Sequence, residues 1–565
     1  MKKNTLPMIL FCLLTAMTAR AQTFTPIDIN SGSGNSSPTY LTSYQGKVYF
    51  WATTPANGTE LYVSDGTPAG TQLLKDIVPG PGSSYPNSFI ECNNLLFFSA
   101  NDSVHGTELW VTDGTGAGTQ MLTDANTGTA SGSPYYMTPF NNKLYYSTAD
   151  ATHGTELWVT DGTSAGTSLL KDINPGVDGS QPEGYKGSSQ RGIINQFNEY
   201  NGVLYFRAND GVHGSELWRT DGTSAGTVMV TEILPGPSGG RPYCMTSYNG
   251  KMIMGATDSI HSYELWISDG TPAGTSLLKD IYPGLAYSEP GAYSGFIELN
   301  NKLYFMAASD NAGYELWSTD GTTVGTTQVA DILAGPGSSF AGQYGIIPWG
   351  GKLYFAANDS INGSQLWASD GTAAGTSLVK VLGTGGSGSS VPRAFLSYNS
   401  QLIFVAGLNT STTDLELWTS DGTAANTHVI APAVAPNISP MNTDGSGYAM
   451  CWNNGSLFMA ANFNSIGDEL WIYNTPSTAI TEVGEATGIA AYPNPFSDAV
   501  SVSGLAQAGE YRVTITDITG REIYNSALET SGDKATIMTR DLSAGAYLVN
   551  VSGSDIRQTF KMIKQ

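Results

Sequence analysis

A Glu-Leu-Trp-like tripeptide recurs nine times in this chain of 565 residues, starting at Glu60, Glu108, Glu156, Glu216, Glu264, Glu315, Gln365, Glu416 and Glu469. Successive starts lie 48, 48, 60, 48, 51, 50, 51 and 53 residues apart. Such a period marks one supersecondary unit copied many times, so the fold is an array before it is anything else. A residue present in every copy is first a scaffold residue.

Each unit reads as a four-stranded antiparallel meander. The first two strands are joined by Asn-Gly or a near equivalent (Gln45-Gly46, Asn93-Asn94, Asn141-Asn142, Asn201-Gly202, Asn249-Gly250, Asn300-Asn301, Gly350-Gly351), residues that tolerate the positive φ of tight hairpins. The second pair is joined through Asp-Gly-Thr, as from Asp161 to Thr167, where Asp caps the turn and Gly takes the strained φ. Strands such as 302–306 and 315–317 are bulky at neighbouring positions, so both sheet faces must be covered. Propeller blades meet that demand, each sheet packing between two others around an axis. Eight of the eleven Trp residues fall at the repeat position, with Tyr62 replacing Trp in the first copy. This places an aromatic ring between blades.

The expected fold is all-β: a β-propeller of about nine four-stranded blades, followed by a small β-sandwich. Ile27-Asp-Ile-Asn30 resembles the fourth strand at Lys171-Asp-Ile-Asn174, while the ninth copy continues from Trp471 as Ile472-Tyr-Asn474 without Asp-Gly-Thr. The N-terminal strand could fill that vacancy and remove two free sheet edges. Thr478 to Glu482 is a rival for the place, and eight blades with one irregular unit, or two rings, stay open.

Lys2-Lys3, an apolar run from Leu6 to Met17 and Ala19-Arg20-Ala21 form an export signal over residues 1–21. The run is too short to span a bilayer, so no transmembrane segment is expected. Formal net charge is −23, which disfavours nucleic acid, whose binding needs basic stripes. Cleavage leaves Cys92, Cys244 and Cys451 in three different units. That is neither a disulfide framework nor metal spacing, and small buried hydrophobes is the better reading.

The array spans 22–474 and a mixed linker 475–487. The final module, 488–565, carries Tyr492-Pro493-Asn494-Pro495-Phe496, Gly520-Arg521, Leu542, Gly545, Tyr547, Lys561 and Lys564. Its seven or so short strands suit a β-sandwich. These residues resemble the type A C-terminal sorting domain of the Bacteroidetes type IX secretion system. The resemblance implies Sec export, then passage across the outer membrane by the type IX machinery. The domain would then be removed and the remainder released or attached to surface lipopolysaccharide. Glu156 to Thr163, reading Glu-Leu-Trp-Val-Thr-Asp-Gly-Thr, is similar to the ELWxxDGT repeat family, which implies an exported propeller-like array without an assigned activity. Gln365, Tyr62 and the lost turn after Trp471 depart from that pattern.

Four of the five His residues occupy equivalent loops, in Asp102/His105, Asp150/His153, Asp210/His213 and Asp258/His261. Such pairs could ligate a divalent ion, calcium with loop carbonyls among them. The favoured reading is that Asp caps the loop and duplication copied the pair, with no cofactor. Repeated Glu residues give no asymmetric carboxylate pair for glycoside hydrolysis, and no hydrolase triad or phosphate loop is visible. The long spacing before Glu216 adds residues within Gly176 to Phe197, including Glu183, Tyr185, Lys186 and Arg191; a loop of that length is a candidate ligand contact. The sequence thus reads as a secreted or surface-attached non-catalytic binding module for a glycan, surface polymer or protein. A polysaccharide-acting enzyme and a purely structural surface component are the alternatives.

Overall fold

The computed structural model describes residues 23–183, 197–382, 389–398, 401–407, 415–430, 437–438, 450–462, 466–474, 490–492, 499–503, 505, 511–517, 522–528, 534–540, 542, 545–552 and 557–564. Every regular element among them is a strand, and none is a helix that could cross a membrane. One compact unit runs Thr23–Asn474, and residues Thr475–Gln565 belong to another.

Within Thr23–Asn474 the described strands form nine antiparallel sheets, numbered here in chain order. Sheet 3 is typical, with strands Tyr135–Phe140, Lys143–Asp150, Gly154–Thr160 and Ser168–Lys171 paired in that order. Asn141 and Asn142 hold φ of 48° and 59° in the first hairpin, the left-handed values that the Asn-Asn pair was expected to supply. In the Asp161 turn, Oδ1 accepts from the amide (2.9 Å) and hydroxyl (2.7 Å) of Thr163, and Gly162 sits at φ 94°. First strands of neighbouring sheets approach one another, so the first strand is the inner edge of each sheet and the fourth the outer.

The repeated aromatic residue packs on the preceding sheet. Trp110 of sheet 2 lies against Leu61 and Ile77 of sheet 1, Trp418 of sheet 8 against Tyr354 and Leu366 of sheet 7, and Trp471 of sheet 9 against Leu417 of sheet 8. Tyr62 of sheet 1 packs against Phe458, Leu470 and Ile472 of sheet 9 in the same way. The departure from Trp in the first copy therefore keeps the role.

Sheet 9 is completed from the other end of the unit. Thr23–Ile27 pairs antiparallel with Asp468–Asn474, with Thr23 opposite Asn474 and Ile27 opposite Leu470. The motif similarity gave the right register: Ile29 meets Glu469 as Ile173 meets Glu156. The rival segment, Thr478 to Glu482, lies outside the described residues. Turn tips are also tied across the join: Asn453 and Asn454 of sheet 9 donate to the Gly46 carbonyl of sheet 1. Tyr44 likewise donates to the Asn94 carbonyl of sheet 2, and Asn93 to that of Asn142 in sheet 3.

In the C-terminal unit, a sheet ordered Ala490–Tyr492, Ala499–Ser503, Lys534–Met538 and a second ordered Glu522–Leu528, Tyr511–Asp517, Gly545–Ser552, Arg557–Lys564 share one buried cluster. Val500, Val502 and Ile537 enter it from the first sheet, and Val513, Ile515, Val549 and Val551 from the second.

Candidate functional site

The repeated glutamate is the hub of each unit. Glu156 is fully buried and accepts from the amides of Ile173 (3.1 Å), Asn174 (3.0 Å) and Ser180 (2.8 Å) and from the Ser180 hydroxyl (2.5 Å). Its carboxylate thus pins the end of the fourth strand and the loop leading to the next sheet. Glu60, Glu216, Glu264 and Glu315 repeat the bracket with residues 17, 18 and 24 positions downstream. Glu469 finds the same donors at the other end of the unit, in the Ile29 amide and the Ser36 amide and hydroxyl. Gln365 keeps part of the bracket, its Oε1 accepting from Leu382 N and its amide donating to the Asn362 carbonyl.

Burial raises these carboxyls above their ordinary value near 4.5, with Glu108 and Glu264 pushed up to about 7 and Glu60, Glu156, Glu216, Glu315 and Glu469 shifted the same way. Between about pH 4.5 and 7 the folded chain therefore holds protons that the unfolded chain has released, so stability falls as pH rises through that window. The four paired His residues act in the same direction. Their aspartate hydrogen bonds raise them from 6.5, so the stability they add below that value is lost as pH rises through the raised one. The urea midpoint should decline steadily from about pH 5 to about pH 8; a rising midpoint would contradict the bracket electrostatics.

The Asp–His pairs lie each within its own loop. Asp102 Oδ1 accepts from the amides of Val104 (2.9 Å) and His105 (2.7 Å), and Oδ2 meets His105 Nδ1 at 2.6 Å. Asp150/His153, Asp210/His213 and Asp258/His261 repeat this, with Nδ1 to Oδ2 distances of 2.8, 2.7 and 3.0 Å. In sheet 7, Asn362 takes the His place and donates to Asp359 Oδ2 at 2.7 Å. An amide side chain thus makes the same hydrogen bond that the imidazole makes in the other loops. Among the described residues, no three His, Cys, Asp or Glu side chains gather to hold a metal ion. Burial pushes the thiols of Cys244 and Cys451 up to about 12, which favours the protonated form over the nucleophilic thiolate.

Of the long loop, Glu183 forms an ion pair and a backbone bridge with Arg207, while Tyr185, Lys186 and Arg191 lie outside the described residues. A shallow cavity of about 460 Å³ opens between the first hairpins of sheets 2 and 3, with Glu91, Asn94, Asn141 and Glu199 on its wall. In the C-terminal unit, Tyr547 is buried and Leu542 packs against the core. Gly545 opens a strand, Tyr492 ends one, and Lys561 and Lys564 lie on the last. Pro493, Asn494, Pro495, Phe496, Gly520 and Arg521 lie outside the described residues.

One set of positions escaped the sequence reading. The residue 25 positions after the glutamate is Tyr85, Ser133, Gln181, Arg241, Glu289 or Phe340, with Ser37 and Val391 as counterparts after Glu469 and Gln365. All hold φ between 45° and 53°. Each amide donates back to the carbonyl of the residue at or just before the hub: Thr59, Thr107, Thr155, Ser215, Tyr263, Tyr314, Asp468 and Ser364. The backbone is fixed and the side chain is not. A Pro follows all but Phe340, and that X-Pro recurrence was the available signal.

Residues 490–565 match the family model described as the secretion system C-terminal sorting domain. That module implies export through the type IX secretion system and interaction with its machinery. A search among curated proteins returns no match. Among solved structures, a prolyl endopeptidase is 11% identical with a TM-score of 0.36, the alignment covering 76% of this chain and 55% of that one. A puromycin-hydrolyzing peptidase of Mycobacterium tuberculosis is 10% identical with a TM-score of 0.33, covering 66% and 59%. A putative TolB from Agrobacterium tumefaciens is 13% identical with a TM-score of 0.23, covering 45% and 80%. The chain thus spans less than two thirds of either peptidase.

Proposed function

We propose that Thr23–Asn474 is a closed nine-bladed propeller of ELWxxDGT type, displayed outside the cell as a non-catalytic binding module for a glycan, surface polymer or protein. Residues 1–21 act as its signal peptide, and the two-sheet C-terminal module is a β-sandwich that carries it through type IX export. The observation that carries the reading is the Glu469 bracket. It repeats across the chain ends what Glu156 does within one unit, so the repeat continues through the join. Eight fixed backbone positions presenting unlike side chains suit recognition, because a rigid frame lets loops vary without cost to the core. The acids the sequence singled out are occupied in brackets and caps, which supports binding over hydrolysis.

The test is a glycan and surface-protein binding screen of the exported chain, with and without calcium, beside polysaccharide turnover assays. Binding without turnover is expected; turnover without retained binding would overturn the reading. Removing 490–565 should trap the chain within the cell envelope, read by fractionation and immunoblot, and normal export of the truncated chain would refute the sorting role.

A further inference from the structure

Sheet 1 carries three aromatic rings that its frame does not need. Trp51 stands between Tyr40 and Tyr85, with ring centroids 5.1 Å and 5.6 Å away and interplanar angles of 88° and 69°. Tyr85 is 53% exposed, and Tyr40 and Trp51 are partly exposed. In sheet 2 the same three frame positions are Ser88, Ser99 and Ser133. The backbone there is unchanged: φ is 59° at Tyr40 and 58° at Ser88, 50° at Tyr85 and 53° at Ser133. Trp51 pairs with Thr39 as Ser99 pairs with Asn87. Serine therefore satisfies this bulge, strand position and left-handed turn. The backbone frame does not dictate aromatic side chains at these three positions, and aromatic surface grouped beside the exposed Tyr85 marks a contact site.

We infer that Tyr40, Trp51 and Tyr85 form a subsite for a neutral pyranose residue of a glycan. This inference rests on the binding-module reading above. Edge-to-face packing holds Trp51 rigid and leaves ring surface for the apolar C–H face of a sugar, at little entropy cost. Thr53, two positions along the strand from Trp51 and braced by the buried Thr59 hydroxyl at 2.7 Å, and the side chains of Asn87 and Ser88 supply polar groups of the kind that recognise sugar hydroxyls. None of these residues is cationic, and the chain carries a net charge of −23, which selects against anionic polymers.

The experiment writes sheet 2 into sheet 1: Tyr40→Ser, Trp51→Ser and Tyr85→Ser together in the full chain, and Tyr85→Ser alone. Each is assayed on an array of neutral glucans, mannans and galactans, with thermal melting as the folding control. The triple variant should lose about tenfold or more in affinity, Tyr85→Ser less, and Trp51→Phe should retain most of the binding. The reverse transplant, Ser88→Tyr, Ser99→Trp and Ser133→Tyr, should add a second site. If the parent binds neutral glycan and the triple variant and Tyr85→Ser bind equally well, the subsite is wrong and the binding-module reading stands. If the parent binds no glycan and captures a protein through the triad, the ligand class is overturned. If it binds nothing, both fail.

Discussion

Deleting Thr23 to Asn30 should lower the melting temperature by on the order of 10 °C and convert the protein to higher oligomers. Three losses combine. Asp468–Asn474 becomes an open sheet edge, which templates pairing with other chains. Ile27, buried to 3%, takes its share of the cluster with Phe458, Leu470 and Ile472, a loss of about 2–3 kcal/mol. Glu469 loses the Ile29 amide and keeps only the Ser36 amide and hydroxyl, and an unmet hydrogen bond at a buried polar group costs about 1–3 kcal/mol. Thermal melting and size-exclusion chromatography measure the outcome. A synthetic peptide spanning residues 23–36 should restore the melt when added in trans. An unchanged melting temperature would mean that this strand does not close the array.

Glu156→Ala is the second large effect. It strands the buried amides of Ile173 and Ser180, the half-buried amide of Asn174 and the Ser180 hydroxyl. An orphaned buried donor costs about 1–3 kcal/mol, so the expected loss is about 4–6 kcal/mol after relaxation. Glu156→Gln should cost far less, because Gln365 already occupies this place and keeps the strand-end contact with Leu382. Gln at 156 should also flatten the decline of stability with pH, since the raised carboxyl is gone. Equal losses for Ala and Gln in urea denaturation would show that charge, rather than bracket geometry, holds the loop.

Much of the frame was legible because it is local. The Asn-Gly-like hairpins and Asp-Gly-Thr turns announce positive φ from residue type alone, and the period shows that one unit is copied many times, while eight or nine blades stayed open. The capping role of Asp102, Asp150, Asp210 and Asp258 was equally readable, because an Asx turn involves only the next three residues. The strand pairing was legible through the motif Ile27-Asp-Ile-Asn30, since a strand end whose amides meet the glutamate packs the same apolar side chain beside it wherever it lies in the chain.

What the sequence could not disclose lies between sheets. The hub glutamates read as repeated acids of no assigned chemistry; only the fold shows that each faces amides 17 to 24 residues on, or, for Glu469, at the opposite chain end. The aromatic triad is spread over Tyr40, Trp51 and Tyr85, and no periodicity links those positions until the second strand, the bulge and the next loop are brought together. By itself, then, the sequence determined the repeated unit, its turns and its export module, because backbone preference and burial pattern are set by near neighbours. Tertiary structure alone decided which acids are scaffold and which rings come together at the surface, because that depends on contacts made across the join between one sheet and the next.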